Sequence, residues 1–427
     1  MIKNLVYKLI ILFDKFFIFF QYFYYLLFSN YQQNFFIFNT GWGGLVQTIY
    51  YLEFIFKNKK KNIFILDYDK LNQSVEFFTK NFKIKKIYSI FSLIGRDFSQ
   101  YPKKFELQIK LFCNKLFDKK FSNTESLIID KKNNYLNSKI VSKYIAKRIK
   151  TKLIFSHSLK SLNDQINNKS KKNFFQPNKN TQKLIERVFN CKIGKLKNAI
   201  NICIRKRNKI KRNDDRTNYL RDGNVANFIH IIKYLIKNYD YKIFITGDVN
   251  SINLKHKNLY YYKEFQDKIS KDLYQLSIQS LTKYHIMNSG GSNQIMKFNN
   301  GKFLYIDCWP PVSFTPDSVI LFKNIFKKKK KMSIFSYIRM YEKDCLKYTN
   351  QQNLKLSNMI FFKYFYAKNY IISSNKKEQV LQSLKEFLIF ISNKKKLNFK
   401  NKSYTKISKF YQKILIDNKC LLSSGNS

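Results

Sequence analysis

"NVANFIHIIKYLIKN" (224–238) runs almost directly into "YKIFITGD" (241–248), and the change of period between the two decides the fold. In the first segment Val225, Phe228, Ile229, Ile232, Leu235 and Ile236 recur three and four residues apart, the spacing of one apolar helix face. The second is a short unbroken apolar run that stops at Gly247-Asp248, as a strand buried on both faces does. A helix feeding a buried strand is part of a βαβ unit, and "NAINICIR" (198–205) upstream supplies the other strand. The scheme continues downstream. "KDLYQLSIQSL" (271–281) reads as a helix, "KYHIMNS" (283–289) as a strand, "SNQIMKF" (292–298) as a helix start and "KFLYIDCWPP" (302–311) as a strand. Such alternation predicts a parallel sheet with helices on both faces.

The first half carries the same pattern. "FFIFNT" (35–40), "NIFILDYD" (62–69) and "IKKIYSIF" (84–91) are strand-like, with helical patterns at 41–57 and 71–82. Further helical patterns follow around 105–121 and 135–150, and "TKLIFSHS" (151–158) is a further candidate strand. Residues 160–182 are polar and irregular, which places a domain boundary there. The predicted fold is therefore α/β, with two Rossmann-like domains over 31–182 and 183–345. An N-terminal hydrophobic helix (1–30) precedes them, and a mixed helical C-terminal region (346–427) follows. That last region includes an amphipathic helix at 376–392; the Lys run at 327–331 and the tail beyond 395 read as solvated surface.

A net charge of +53, from 80 Lys and Arg against 27 Asp and Glu, first suggests nucleic acid. The composition argues otherwise. Lys, Asn, Ile, Phe and Tyr are inflated together while Gly (11), Pro (5) and Trp (2) are scarce, the mark of an A+T-rich coding sequence. The lysines are spread along the chain without a long Arg-rich tract, so no specific nucleic acid is expected, and an anionic membrane surface is the better partner for the charge. The N-terminal stretch "MIKNLVYKLIILFDKFFIFFQYFYYLLF" is interrupted by Asp14 and Lys15. Its longest apolar run, 16–28, falls short of the ~20 residues of a spanning helix. An interfacial helix, a buried helix and an anchor are the readings it allows. Cysteines at 113, 191, 203, 308, 345 and 420 form no CxxC pair, which fits a reducing cytoplasm. Four scattered His residues assemble no metal site, and no cofactor is implied.

Ligands of open α/β sheets bind beyond the carboxyl ends of the strands, so strand exits are the places to search. "TGWGG" (40–44) brings Gly41, Gly43 and Gly44 to the first exit, either as a turn that lets a ligand approach or as a tight turn only. "RKRNKIKRNDDRTNYLRDG" (205–223) leaves "NICI"; Arg205 at its start and Arg221 at its end are placed to clamp a diphosphate, or else the loop is merely solvated. "TGDVN" offers Gly247 for close approach and Asp248 as an acceptor for ribose or base. "NSGGSNQIMKF" (288–298) puts Ser289, Gly290, Gly291, Ser292 and Asn293 before a helix, the clearest anion-binding pattern in the chain. "WPPVSFTPD" (309–317) is a proline-stiffened loop, and His157 exits a candidate strand as either a structural residue or a base.

Taken in order, "INICIRKRN", "RDGNVANFIHIIKYLI", "IFITGD", "LYQLSIQSLTKYHIMNSGGSNQIMKF", "LYIDCWPP" and "KKKMSIFSYI" (329–338) resemble a family of bacterial glycosyltransferases of the GT-B type. The Arg-strand and Ser/Gly-loop motifs are also similar to those of fucosyltransferase-like enzymes. Arg205 matches the motif Arg, Arg221 and Asp222 match the next helix start, and Ser289 to Asn293 match the Ser/Gly loop. Cys203 stands where the family has His, and Lys206 where it has Asp. The resemblance spans roughly 190–340 and implies a metal-independent enzyme that moves a sugar from a nucleotide-sugar donor to a glycan or lipid-linked acceptor in cell-surface polysaccharide synthesis. It implies that Arg205 is catalytic and, with Arg221, Gly247, Asp248 and Ser289–Asn293, donor-binding. Gly41, Gly43 and Gly44 would face the acceptor, and Asp67, Asp69 and His157 are candidates for a general base. The expected setting is the cytoplasm, peripheral to the inner membrane. Cys203 and Lys206 favour the alternative of a non-catalytic sugar-nucleotide or glycan-binding protein on the same fold; a basic nucleic-acid binder is the third reading.

Overall fold

The computed structural model describes residues 2–28, 34–38, 62–67, 83–88, 177–206, 222–247, 252–289, 295–296, 299, 301–309, 317–327, 330–333, 335–336, 338–339, 370–392, 412, 415–416 and 419–426. The chain divides into two compact units, 1–153 and 154–427. In the first, helix α1 (Ile2–Phe28) lies against the last of three parallel strands, β1 (Asn34–Phe38), β2 (Asn62–Asp67) and β3 (Lys83–Tyr88), paired in that order. The strands coincide with the three apolar runs of the first half. The predicted helices at 41–57, 71–82, 105–121 and 135–150, the strand at 151–158, and Gly41, Gly43, Gly44, Asp69 and His157 lie outside the described residues.

The second unit is built on a seven-stranded sheet, every adjacent pair parallel. Its strands are β4 (Ile200–Ile204), β5 (Ile243–Gly247), β6 (Leu259–Tyr261), β7 (Tyr284–Met287), β8 (Lys302–Cys308), β9 (Ser318–Phe322) and β13 (Leu421–Leu422). The spatial order is β13-β9-β8-β7-β4-β5-β6. The chain therefore starts in the middle at β4, winds outward through β5 and β6, returns to the other side of β4 at β7, and winds outward again. That is a doubly wound sheet with its switch point between β4 and β7.

Helices fill both faces. Ile200, Ile202 and Ile204 of β4 pack with Phe228, Ile231, Ile232 and Leu235 of α4 (Val225–Asn238), and Val380, Leu384 and Phe387 of α6 (Lys377–Ser392) belong to the same cluster. The opposite face meets α2 (Lys179–Phe189) and α5 (Lys271–Leu281): the Phe189 ring sits 5.5 Å from Phe244 and 5.9 Å from Tyr274. A short helix α3 (Ile193–Leu196) links α2 to β4. Local chemistry sets the ends: the side chains of Asn178, Asn224 and Ser270 accept the backbone N–H of Thr181, Ala226 and Leu273 at the starts of α2, α4 and α5.

Two boundaries differ from the sequence reading. The predicted division at 182 falls inside α2, because the polar "NKNTQ" stretch is a capped first turn rather than a linker. Among the described residues, parts of the C-terminal region belong to the second unit's sheet and core. α6 lies in the sheet's own core, and β13 pairs with β9 as the seventh strand. The Lys run at 327–331 takes part in a small antiparallel sheet of β10 (Asn324–Lys327), β11 (Lys330–Lys331) and β12 (Tyr370–Ser373), with Lys327, Lys330 and Lys331 exposed.

Candidate functional site at the switch point

The carboxyl ends of β4 and β7 are tied together by one side chain. The Arg205 backbone N–H donates to Asn288 Oδ1 at 2.8 Å, and Asn288 Nδ2 donates to the Arg205 carbonyl at 2.9 Å. Gly223 N–H donates a second bond to that carbonyl at 3.0 Å, which brings the entry of α4 onto the same spot. Gly223 is needed there: a Cβ would lie 2.8 Å from the Phe228 ring and 3.1 Å from Asn288. Gly247 closes the neighbouring strand end with φ +94°, and a Cβ on it would stand 2.2 Å from the Ile204 carbonyl oxygen. The backbone at the crevice is thus tightly specified.

Arg205 stands at this point. Its Nε lies 3.6 Å from Asp222 Oδ1 and its Nη1 donates to the Ser289 carbonyl at 3.4 Å, with 13% of the side chain exposed. The pair to Asp222 is long for a salt bridge. A phosphate, which accepts bidentately from guanidinium, is a stronger partner than a carboxylate at that range.

Behind Arg205 lies a charge network that no sequence motif announces. Lys323, just past β9, is 7% exposed, and its Nζ donates to the Asp222 carbonyl at 2.7 Å. Burial pushes the Lys323 amine below its ordinary range, Asp307 and Asp222 oppose that, and Arg205 adds to it. Asp307 is fully buried. Its carboxylate accepts from the Asn375 N–H at 2.8 Å and the Asn224 N–H at 3.2 Å. Burial holds the Asp307 carboxyl above the usual carboxylate range, with Lys323 the chief opposing influence and the Asn375 and Asn224 bonds after it. Strict alternation along β8 would send residue 307 to the face of Phe303 and Tyr305. A register shift between Tyr305 and Cys308, with Asp307 at φ 51°, re-aims it toward α4 and α6 instead. Asn375 completes the node, donating from Nδ2 to the Phe322 carbonyl at 2.7 Å while its own carbonyl accepts from Asn227 at 3.1 Å. Arg205, Asp222, Lys323 and Asp307 therefore alternate in charge at the exits of β4, β8 and β9 and the start of α4, linked by the Arg205–Asp222 pair and the Lys323 bond to the Asp222 carbonyl.

The residues singled out by sequence fall as follows. Arg205 and Ser289 come together at the switch point, with Asp222 beside them. Gly247 is at the next strand end. Arg221, Asp248 and Gly290 to Asn293 lie outside the described residues. The Ser289 hydroxyl is turned into the protein. It is fully buried, accepts from the Trp309 N–H at 3.0 Å and donates to Cys308 Sγ at 3.5 Å, because the β7 and β8 exits pack side by side there. Cys203 is 3% exposed, and Gln279 Nε2 approaches its sulfur at 3.9 Å, so its side chain belongs to the α5-side packing. On that same face Thr246 donates to Asn201 at 2.8 Å, and Asn201 reaches His285 Nδ1 at 3.2 Å. Burial lowers the His285 pKa to about 3, against a smaller opposing effect of the Thr282 backbone, so the ring is neutral at physiological pH. The residues missed by sequence are Lys323, Asp307, Asn375 and Asn288. Of these, Asp307 and Asn288 at least stood inside quoted strand-exit segments.

An open cavity of about 1420 Å³ lies beside the switch point, at the ends of β5 and β6, lined by Gly247, Leu254, His256, Tyr260, Tyr262 and Lys271 among others. No protein-family model matches the chain. No curated protein matches it either. Among solved structures it is similar to E. coli heptosyltransferase WaaC with ADP, at 8% identity and a TM-score of 0.35 over 73% of this chain and 98% of that one. The same enzyme with ADP-2-deoxy-2-fluoro heptose aligns at 9% identity and a TM-score of 0.36, covering 68% and 93%. A structure assigned as a UDP-N-acetylglucosamine 2-epimerase from Listeria monocytogenes aligns at 9% identity and 0.32, covering 65% and 79%.

Proposed function

We propose that the chain is a glycosyltransferase of GT-B type that moves a sugar from a nucleotide-sugar donor to a glycan or lipid-linked acceptor at the cytoplasmic side of the membrane, in cell-surface polysaccharide synthesis. The observation that carries the reading is the position of Arg205: a guanidinium held at the switch point of a doubly wound sheet, where such sheets take nucleotides. In this reading the second unit holds the donor. Arg205 and Arg221 contact the diphosphate, the backbone of Ser289–Asn293 adds N–H donors, and Gly247 with Asp248 borders the nucleoside. The first unit takes the acceptor near Gly41, Gly43 and Gly44. As the acceptor oxygen attacks the anomeric carbon, the bond to the donor phosphate breaks and negative charge grows on the leaving diphosphate. A fixed guanidinium stabilises that charge without reorganising. Asp222 and the buried row behind it position Arg205, and no metal is required in the scheme.

The test is turnover. Purified protein incubated with a panel of uridine, guanosine, adenosine and cytidine sugar nucleotides is expected to release the nucleotide from one class, and Arg205→Ala is expected to lower that release by at least about a hundredfold. Donor binding without hydrolysis or transfer from any member of the panel would support the second reading, a non-catalytic sugar-nucleotide-binding protein. One observation favours that reading: the side chain at 203 is a cysteine packed against Gln279, where the resembled family has a histidine.

A further inference from the structure

α1 buries its acid, Asp14, and exposes a stripe of large apolar side chains. Ile11, Ile18 and the helix's acid, Asp14, are at most 2% exposed, whereas Val6, Leu9, Leu12, Phe13, Phe16, Phe20, Phe23 and Tyr24 are 41–63% exposed. At about 100° per residue these eight positions fall within a sector of about 120°, and from the first to the last they run about 27 Å along the axis. The buried Ile11, Asp14 and Ile18 occupy the opposite side. Lys15 is half-buried on the flank between the two. We infer that this stripe is a membrane-docking surface, on which α1 lies in the plane of an anionic bilayer. Charge complementarity selects the occupant. The chain carries +53, the one carboxylate of α1 is turned away from the stripe, and Lys15 borders it. The stripe's breadth and its aromatic content also suit headgroup-level burial better than the narrow seam through which two helices pair. Among the described residues no helix is long and apolar enough to cross a membrane, which fits a helix that lies on the surface.

The inference does not rest on the transferase reading, and its test needs no donor. Full-length protein is sedimented with vesicles of phosphatidylcholine alone and of phosphatidylcholine with phosphatidylglycerol. Binding to the mixed vesicles is expected, weakened by salt, with much less on phosphatidylcholine. Phe16→Gln with Phe20→Gln, both on the exposed face, is expected to lower the partition coefficient about a hundredfold while leaving the circular dichroism spectrum unchanged. Lys15→Gln is expected to reduce binding to the mixed vesicles only. Protein that stays in the supernatant with both vesicle types, or a double variant that binds as well as the parent, would overturn the inference. So would a dimer in sedimentation velocity that the double variant dissociates, which would assign the stripe to a second copy of the chain.

Discussion

Lys323→Met should destabilise the second unit by at most about 3 kcal/mol, the lower end of the ~3–5 kcal/mol seen when one partner of a buried ion pair is removed, since Lys323 bonds the Asp222 carbonyl and acts on Asp307 through its field. Met keeps most of the apolar stem and removes the ammonium that sits 2.7 Å from the Asp222 carbonyl and opposes the burial of Asp307. Asp307 would then be left buried without its nearby cation, while the partly buried Asp222 keeps Arg205. The lower figure applies because Asp307 keeps the N–H groups of Asn375 and Asn224, and because it can take up a proton. The sign of the pH dependence follows. Asp307 is already raised in the folded chain, and the loss of Lys323 raises it further. The folded variant then binds this proton at a pH where the unfolded chain has released it, so its stability falls as pH rises through that window and recovers in acid. Urea unfolding followed by Trp309 emission, in a Trp42→Phe background, measures the loss at about pH 8 and about pH 5. A smaller penalty at the lower pH is expected, and Lys323→Met with Asp307→Asn should restore a substantial part of it. A loss below about 1 kcal/mol, or one that grows in acid, would refute the claim that Lys323 and Asp307 compensate each other.

Gly247→Ala should cost at least about 2 kcal/mol or abolish soluble expression, since the new methyl combines a left-handed φ with a 2.2 Å approach to the Ile204 carbonyl; a normal urea midpoint would contradict this. His285 binds its proton in the unfolded chain near its ordinary pKa but only at about 3 when folded, so its contribution to stability is present above the unfolded value and is lost as pH falls toward the folded one. The slope should approach ~1.4 kcal/mol per pH unit between those values and flatten in His285→Gln, read from urea midpoints across that range. Deleting residues 420–427 should unzip the sheet edge. Asn426 Nδ2 donates to the Ile320 carbonyl at 2.8 Å, its Oδ1 accepts from Phe322 N–H at 2.9 Å, and β13 pairs with β9. Rapid proteolysis of the truncated chain near 318–327 is the expected readout.

Most of the second unit's sheet is legible from its residues because its central strands are buried on both faces. "INICI", "IFITG", "YHIM" and "KFLYIDC" are apolar runs with no competing helical period, and α4, α5 and α6 carry the 3.6-residue spacing openly. The outer strands are not. β6 is three residues of "LYY" within a polar stretch, and β13 is two leucines whose partner lies about a hundred residues away. Arg205 is legible as a charged residue at the end of a buried run. The row behind it is not, because it joins residues 222, 307, 323 and 375, and a lysine in a lysine-rich chain carries no local sign of burial. The bulge that turns Asp307 onto the α4 side breaks the very alternation by which its face would be assigned. Ser289 shows the limit from the other direction: a loop motif identifies the position, while the packing of the β7 and β8 exits decides where its hydroxyl points.

The most direct test of the central claim is calorimetric titration of the full-length protein and its Arg205→Ala and Arg205→Lys variants with nucleoside diphosphates and their sugar conjugates. Saturable binding of one nucleotide class by the parent is expected. Affinity should fall at least about tenfold in Arg205→Ala and be partly retained in Arg205→Lys, which keeps the charge but not the bidentate fork. Equal affinity in parent and Arg205→Ala, with both variants folded, would contradict this.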